Sequence, residues 1–448
     1  MAVCHGGNIA VTAVRIAPAP APLRPSAPPM PGGMTPAAGS IRLASEHFAA
    51  AVVYLVAGAA GLVWIAPELA SGTYLSPHVA GVTHLFTLGF ITMTIFGALY
   101  QLLPVALGAP IRWTRVGHAS FWTFAPGVGL FAAGVAWSAL MIQHAGIALV
   151  AVGVLLAVAN IAATLPRART RDVTWSAVAL AITFLATTLV LGILLLHNLH
   201  SGFIADMRVR ALAAHLHVAA VGWALVMMIG VSHRLLPMFL LAHGGDVRWT
   251  RRALICLATG VPLLTIGIVT GFAAVAWLGA AMLEAGVFCF IRQAYELYRV
   301  RVKRKLDVGM QFVRAAIGFL TASALVGPLV LYAGASSGRL STAYVILGIL
   351  GGIVMYMTGF FYKIVPLLAW TVHYRGRLGK ETVPAIAETF SSRAARVQLG
   401  LMASAIIVLT LGIGTGSVLA AQLGALLFLS AVLVFATQLA RVARGPAR

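Results

Sequence analysis

Apolar runs of about 18 residues or more recur along the chain, separated by short polar connections. Each run is long enough to cross a hydrocarbon core of ~30 Å as a helix. Strands of a membrane barrel would instead show short alternating segments, and none are visible. The pattern predicts helices over 47–67, 82–105, 117–140, 143–165, 173–197, 208–240, 252–272, 274–298, 311–335, 341–371, 394–415 and 417–440. The expected fold is therefore all-α, a polytopic membrane bundle of about 12 transmembrane helices occupying one domain over 46–448.

Composition agrees: 60% of residues are hydrophobic and 9% charged, with mean hydropathy +0.96. A soluble chain carries about a quarter charged residues. The formal charge of +21 would suit nucleic acid, but its placement excludes that partner. Basic residues gather in alternate loops: Arg112 and Arg115; Arg167, Arg169 and Arg171; Arg248, Arg251 and Arg252; Arg299 to Lys305; Arg375, Arg377 and Lys380. Arg208, Arg210 and Arg339 are the exceptions. The positive-inside rule then puts both termini in the cytoplasm, with the basic loops against anionic membrane lipid; a bacterial cytoplasmic membrane is the expected location. Cys4, Cys256 and Cys289 have no CxxC or Cys/His spacing, so neither disulfide nor structural zinc is inferred. Residues 1–45 are rich in Pro and Ala and lack a signal-peptide core. They read as a disordered cytoplasmic tail, or as sequence upstream of a true start at Met30 or Met34.

Three segments share one spacing. They begin His84-Leu-Phe-Thr-Leu-Gly89, His217-Val-Ala-Ala-Val-Gly222 and Ile346-Leu-Gly-Ile-Leu-Gly351. Each continues to a second glycine (Gly97, Gly230, Gly359) and ends at a proline (Pro104, Pro237, Pro366). These are predicted helices 2, 6 and 10, so four helices separate the copies and all copies run the same way. The expectation is three parallel four-helix repeats, approximately 46–165, 173–298 and 311–440, arranged with pseudo-threefold symmetry. The glycines either let helices approach closely or make room for a flat cofactor. Near the prolines, Tyr100 with Gln101, His233 with Arg234, and Tyr362 with Lys363 share a repeat position and read as snorkelling anchors.

The predicted outer layer collects His78, His84, His144, His197, His200, His215 and His217. Ionisable residues in a membrane are functional candidates, and neutral imidazole is a common ligand of transition metals and heme iron. His84 and His217 hold equivalent repeat positions. His215 and His217 point roughly 200° apart and would serve two different sites. His197 and His200, three apart on one face, could chelate one metal ion. His118, His243 and His373 lie on the inner side and read as interfacial. Glu284, mid-span in predicted helix 8, is either a proton relay or a hydrogen-bonded structural acid; a carboxyl there is expected to be protonated or paired.

With these residues in place the chain resembles the catalytic subunit of the heme-copper oxidase and nitric oxide reductase superfamily. Members have twelve core helices in three four-helix arcs, cytoplasmic termini, and metal-binding histidines at the outer ends of helices 2, 6 and 10. The resemblance covers nearly everything after residue 45. It implies that His84 is a low-spin heme ligand and that His217 is the helix 6 histidine of an active-site copper or iron. Two features depart from it. The family's His-His pair on helix 7 is missing, and Tyr344-Val-Ile346 stands where it carries His-x-His on helix 10; a His-x-His occurs instead as His215-Leu-His217 on helix 6. Either the ligand set is rearranged or the binuclear centre is lost. A second family, of twelve-helix heme- and copper-containing membrane proteins linked to nitric oxide stress, is similar in architecture and histidine richness.

The resemblance implies a membrane redox protein with heme, b-type, and copper as an option. Its reaction would be reduction of oxygen or nitric oxide, with electrons from a separate cytochrome or a membrane quinol. The alternative is a non-catalytic heme or copper protein of nitric oxide sensing, and a transporter is the third reading. A homo-oligomer is compatible with all three.

Overall fold

The computed structural model describes residues 2–3, 38–242, 246–334 and 338–445. Among these, twelve helices are long and apolar enough to cross a membrane, and the protein is a multi-pass membrane protein. They are α1 (Ala38–Ser71), α2 (Pro77–Ala106), α3 (Thr114–Ala136), α4 (Leu140–Arg167), α5 (Val173–Ser201), α6 (Arg208–Leu240), α7 (Val247–Thr270), α8 (Ala273–Arg299), α9 (Val308–Ala333), α10 (Gly338–Arg377), α11 (Ser392–Thr415) and α12 (Val418–Arg444). All twelve belong to the compact unit Pro36–Arg448. No strand occurs among the described residues. Helix α1 starts at Ala38, inside the segment expected to be tail; residues 4–37 of that segment, with Met30 and Met34, lie outside the described residues.

The packing recurs every four helices. Helices α1, α5 and α9 lie along α2, α6 and α10, while α3/α4, α7/α8 and α11/α12 form tight hairpins. Contacts of α4 with α5, α8 with α9, and α12 with α1 join one group to the next. Glycine sets the hairpin spacing. Gly127, Gly134, Gly146 and Gly153 pack directly on the backbone of the facing helix in α3/α4. Gly260, Gly267, Gly279 and Gly286 do the same in α7/α8, each 133 residues on, the interval that also separates His84 from His217. The hairpin turns match as well, with left-handed backbone at Ser138 (φ 53°), Gly271 (φ 79°) and Gly416 (φ 74°). Serine is strained there in a way glycine is not. The two late exceptions to the loop-charge pattern, Arg210 and Arg339, lie against Gly271 and Gly416.

The repeat helices each change pitch just past the histidine position. Leu85–Thr92, Val218–Leu225 and Ile346–Val354 are π-helical, and the three segments touch one another pairwise at the centre of the bundle. π-helix is rare, is usually a single turn, and is frequent at functional sites. Within these segments the question about the first glycine of each copy is answered. A methyl group on Gly89 would lie 2.6 Å from Tyr54, one on Gly222 2.7 Å from Phe184, and one on Gly351 2.7 Å from Phe319. An aromatic ring of the preceding helix already fills the space, so these glycines serve close packing.

Buried polar groups pin the helix ends. The Asn160 amide donates to the Trp113 carbonyl (3.0 Å) and accepts from its N–H (3.1 Å), and Gln438 donates to the Ser391 carbonyl (3.1 Å). Gln293 occupies the corresponding place in α8, but both its amide atoms are buried without a partner. Tyr100 and Tyr362 do not snorkel; both are fully buried. A phenol ring has no flexible stem, and neighbouring helices close over it: the Tyr362 hydroxyl donates to Gln398 (2.5 Å). Asp307 receives the Lys363 ammonium (2.5 Å).

Candidate functional site

The histidine ends of α2 and α6 carry three half-buried imidazoles. His84 Nδ1 lies 2.7 Å from the Ala80 carbonyl and His217 Nδ1 2.8 Å from that of Ala213. A carbonyl only accepts, so in both rings Nδ1 carries the hydrogen and Nε2 keeps its lone pair. This is the state a metal ligand requires, with the backbone fixing ring orientation.

His215 and His217 face different neighbours, as their angular separation requires. The His215 ring lies against Gly192 of α5, where a methyl group would sit 3.2 Å from Cε1, and it interacts electrostatically with His84. Its Nδ1 is buried, and the backbone carbonyl of Thr188 in α5 lies within reach of the ring. His84 meets Phe131 of α3 edge-on, ring centroids 5.0 Å apart. His84 and His215 thus sit near one another at the histidine ends of α2 and α6, each packed against a different neighbouring helix. His217 turns instead to α10, where its Nε2 is 3.3 Å from the Tyr344 hydroxyl and the rings stack. Because Nε2 holds the lone pair, Tyr344 is the donor.

Beside Tyr344 is a cavity of about 60 Å³ among α6, α8, α9 and α10, with Glu284, Ser323 and Gly348 in its wall. Glu284 is half-buried and forms neither an ion pair nor a hydrogen bond with another described side chain. Gly327 of α9 keeps the gap open: a methyl there would be 3.4 Å from both Glu284 Oε1 and the Tyr344 ring. The Ser323 hydroxyl is committed to the Tyr344 carbonyl (3.1 Å).

The remaining histidines lie elsewhere. His197 and His200 are exposed at the end of α5, His197 against Phe203 (5.5 Å) and His200 against His144 (5.5 Å), so their rings have different neighbours. His78 is bonded to Glu68 (2.8 Å) and His118 to Glu46 (2.7 Å), while His373 meets the Ala443 carbonyl (3.1 Å). His243 lies outside the described residues. Among the described residues, no three His, Cys, Asp or Glu side chains gather where they could hold a metal ion together.

Sequence reasoning passed over Tyr344 as a site residue and His47 altogether. His47 is fully buried between Phe96, Tyr100 and Phe121, and its Nε2 has no partner. The signal for Tyr344 was present: 129 residues separate His217 from Ile346 and equally His215 from Tyr344. No protein-family model matches the chain, and no curated protein matches it either.

Proposed function

We propose that this protein is a membrane redox protein that binds a b-type heme at the histidine ends of α2 and α6, with His84 and His215 as its protein ligands. The carrying observation is a pair of half-buried imidazoles on different helices, close enough to interact electrostatically, one of them with a free lone pair on Nε2. A heme iron needs only one or two protein ligands, whereas a copper ion held by protein alone needs more donors than gather here. The donor chemistry therefore suits heme better than copper. A heme bound there would supply one-electron chemistry, with dioxygen or nitric oxide as the acceptor class and a separate cytochrome or a membrane quinol as donor.

The protein's own part is orientation and proton handling. The Ala80 carbonyl holds the His84 ring in place. The Tyr344 hydroxyl donates to His217 Nε2, and a protonated Glu284 across the cavity can replace that proton as the hydroxyl hands its own to Nε2. The three four-helix groups are read as tandem repeats about a pseudo-threefold axis, with both termini cytoplasmic and the histidine ends at the outer face of a bacterial cytoplasmic membrane.

A pyridine hemochrome spectrum of the detergent-purified chain, expressed with heme supply, tests the reading. A Soret band is expected, altered by His84→Ala and by His215→Ala but not by His118→Ala; a colourless folded protein would overturn it. A non-catalytic carrier or sensor keeps the same heme, and it is favoured because no cluster of three His, Cys, Asp or Glu side chains includes His217 among the described residues. Turnover of oxygen or nitric oxide with an artificial donor separates the two.

A further inference from the structure

On the proline side of the π-helical segments, α2, α6 and α10 enclose a cavity of about 70 Å³ on the axis of the bundle. Its wall is built from matching positions of the three repeat helices, among them Thr94, Met227 and Tyr356, and one turn on Ala98, Val231 and Phe360. It lies ten residues past His84, roughly 15 Å along the helix, and shares no lining residue with the Glu284 cavity.

The wall is almost wholly apolar. Ser232 and Tyr356 satisfy each other through a hydroxyl–hydroxyl bond of 2.5 Å, which leaves the buried Thr94 hydroxyl as the free polar atom. A buried water needs about two to four polar partners, so water is a poor occupant. The volume exceeds the ~30 Å³ share of one water and falls well below the ~150 Å³ of an apolar cavity that admits benzene. An occupant must therefore be neutral, apolar or nearly so, and only a few atoms large. Methionine thioethers in the wall are polarizable and favour dispersion contacts with such a molecule. Close-packed interiors hold few voids larger than a water, so a space this size on the axis calls for an occupant or an explanation.

We propose that the axial cavity binds one small neutral molecule of the size of a diatomic gas, apart from the histidine ends of the helices, with Thr94 as the donor facing it. The binding step is physical and needs no heme. Xenon is the probe, followed on the full-length protein in detergent by xenon NMR and located by its anomalous scattering in crystals. One xenon is expected between Thr94, Met227 and Phe360, displaced by nitric oxide. Ala98→Phe fills the space and should abolish binding, while Met228→Ala enlarges it and should raise occupancy, so a folding failure of the first variant leaves the second to decide. Absence of xenon at this position under saturating pressure, or binding that neither variant changes, overturns the proposal. A colourless chain that still takes up xenon here would refute the heme reading and leave this one standing.

Discussion

Replacing Gly222 by alanine tests whether the repeat glycines serve packing or clear a slot for a cofactor. The new methyl would lie 2.7 Å from Phe184 Cγ, 2.9 Å from Cδ1 and 3.0 Å from Cβ. Rotating the ring cannot relieve the last contact, because Cβ is fixed to the α5 backbone. Reaching ordinary contact at ~3.4 Å would require α5 and α6 to part locally by about 0.7 Å, and a gap of that size forfeits roughly a quarter to a half of each dispersion well it opens. Overpacking of this kind costs about 1–3 kcal/mol, against which alanine returns up to ~1 kcal/mol of helix propensity. The net expectation is a loss of up to about 2 kcal/mol. Gly318 is the control: nothing lies within 4 Å of its added methyl, so Gly318→Ala should gain about 0.5–1 kcal/mol. Fluorescence-monitored unfolding in detergent should place the two midpoints on opposite sides of the parent, with heme per folded molecule unchanged in both. A Gly222→Ala protein as stable as the parent but stripped of heme would refute the packing argument and restore the cofactor slot.

Four further outcomes follow from the geometry. Ser138→Gly relieves left-handed strain at a turn whose counterparts are glycine, and should raise stability by about 1 kcal/mol in the same assay; a lower midpoint would contradict the assignment. Asn160→Ala strips the part-buried Trp113 backbone of both partners and should cost about 1–2 kcal/mol. Gln293→Leu removes an amide that has no partner, so it should be neutral or stabilising, and equal losses at the two sites would sink this contrast. If the chain turns over oxygen or nitric oxide, Glu284→Gln and Tyr344→Phe should each slow it about 100-fold while leaving the Soret band in place, and unchanged rates would remove both residues from proton transfer.

The spans and their number were legible because each depends on local composition. A run of apolar residues has few options in hydrocarbon, where every backbone polar group must be satisfied within the helix. Snorkelling was misjudged for Tyr100 and Tyr362 because burial there depends on neighbours far away in sequence. The π-helical pitch was equally hidden, since nothing in Leu85–Thr92 distinguishes it locally from an ordinary apolar helix. Among the site residues, His84 and His217 stood out by repeat position. Tyr344 did not, because only spatial pairing with His217 gives it a role.

That pairing also explains why the helix ends differ. Two repeat positions matter, one at the histidine and one two residues before it. His84 interacts electrostatically with His215, and His217 meets Tyr344; each combination takes the later position of one helix and the earlier position of the next of α2, α6 and α10. The same rule gives Ile346 and Val82 for the remaining combination, both buried and apolar. Val82 is moreover wedged against α1, where a methyl group on Gly61 would lie 2.7 Å from its side chain. The helix ends are thus alike in backbone while the chemistry is confined to two of the three combinations. A histidine at position 346 alone would meet a filled wall, so the apolar pair at this end of α10 is matched by packing rather than left as a gap.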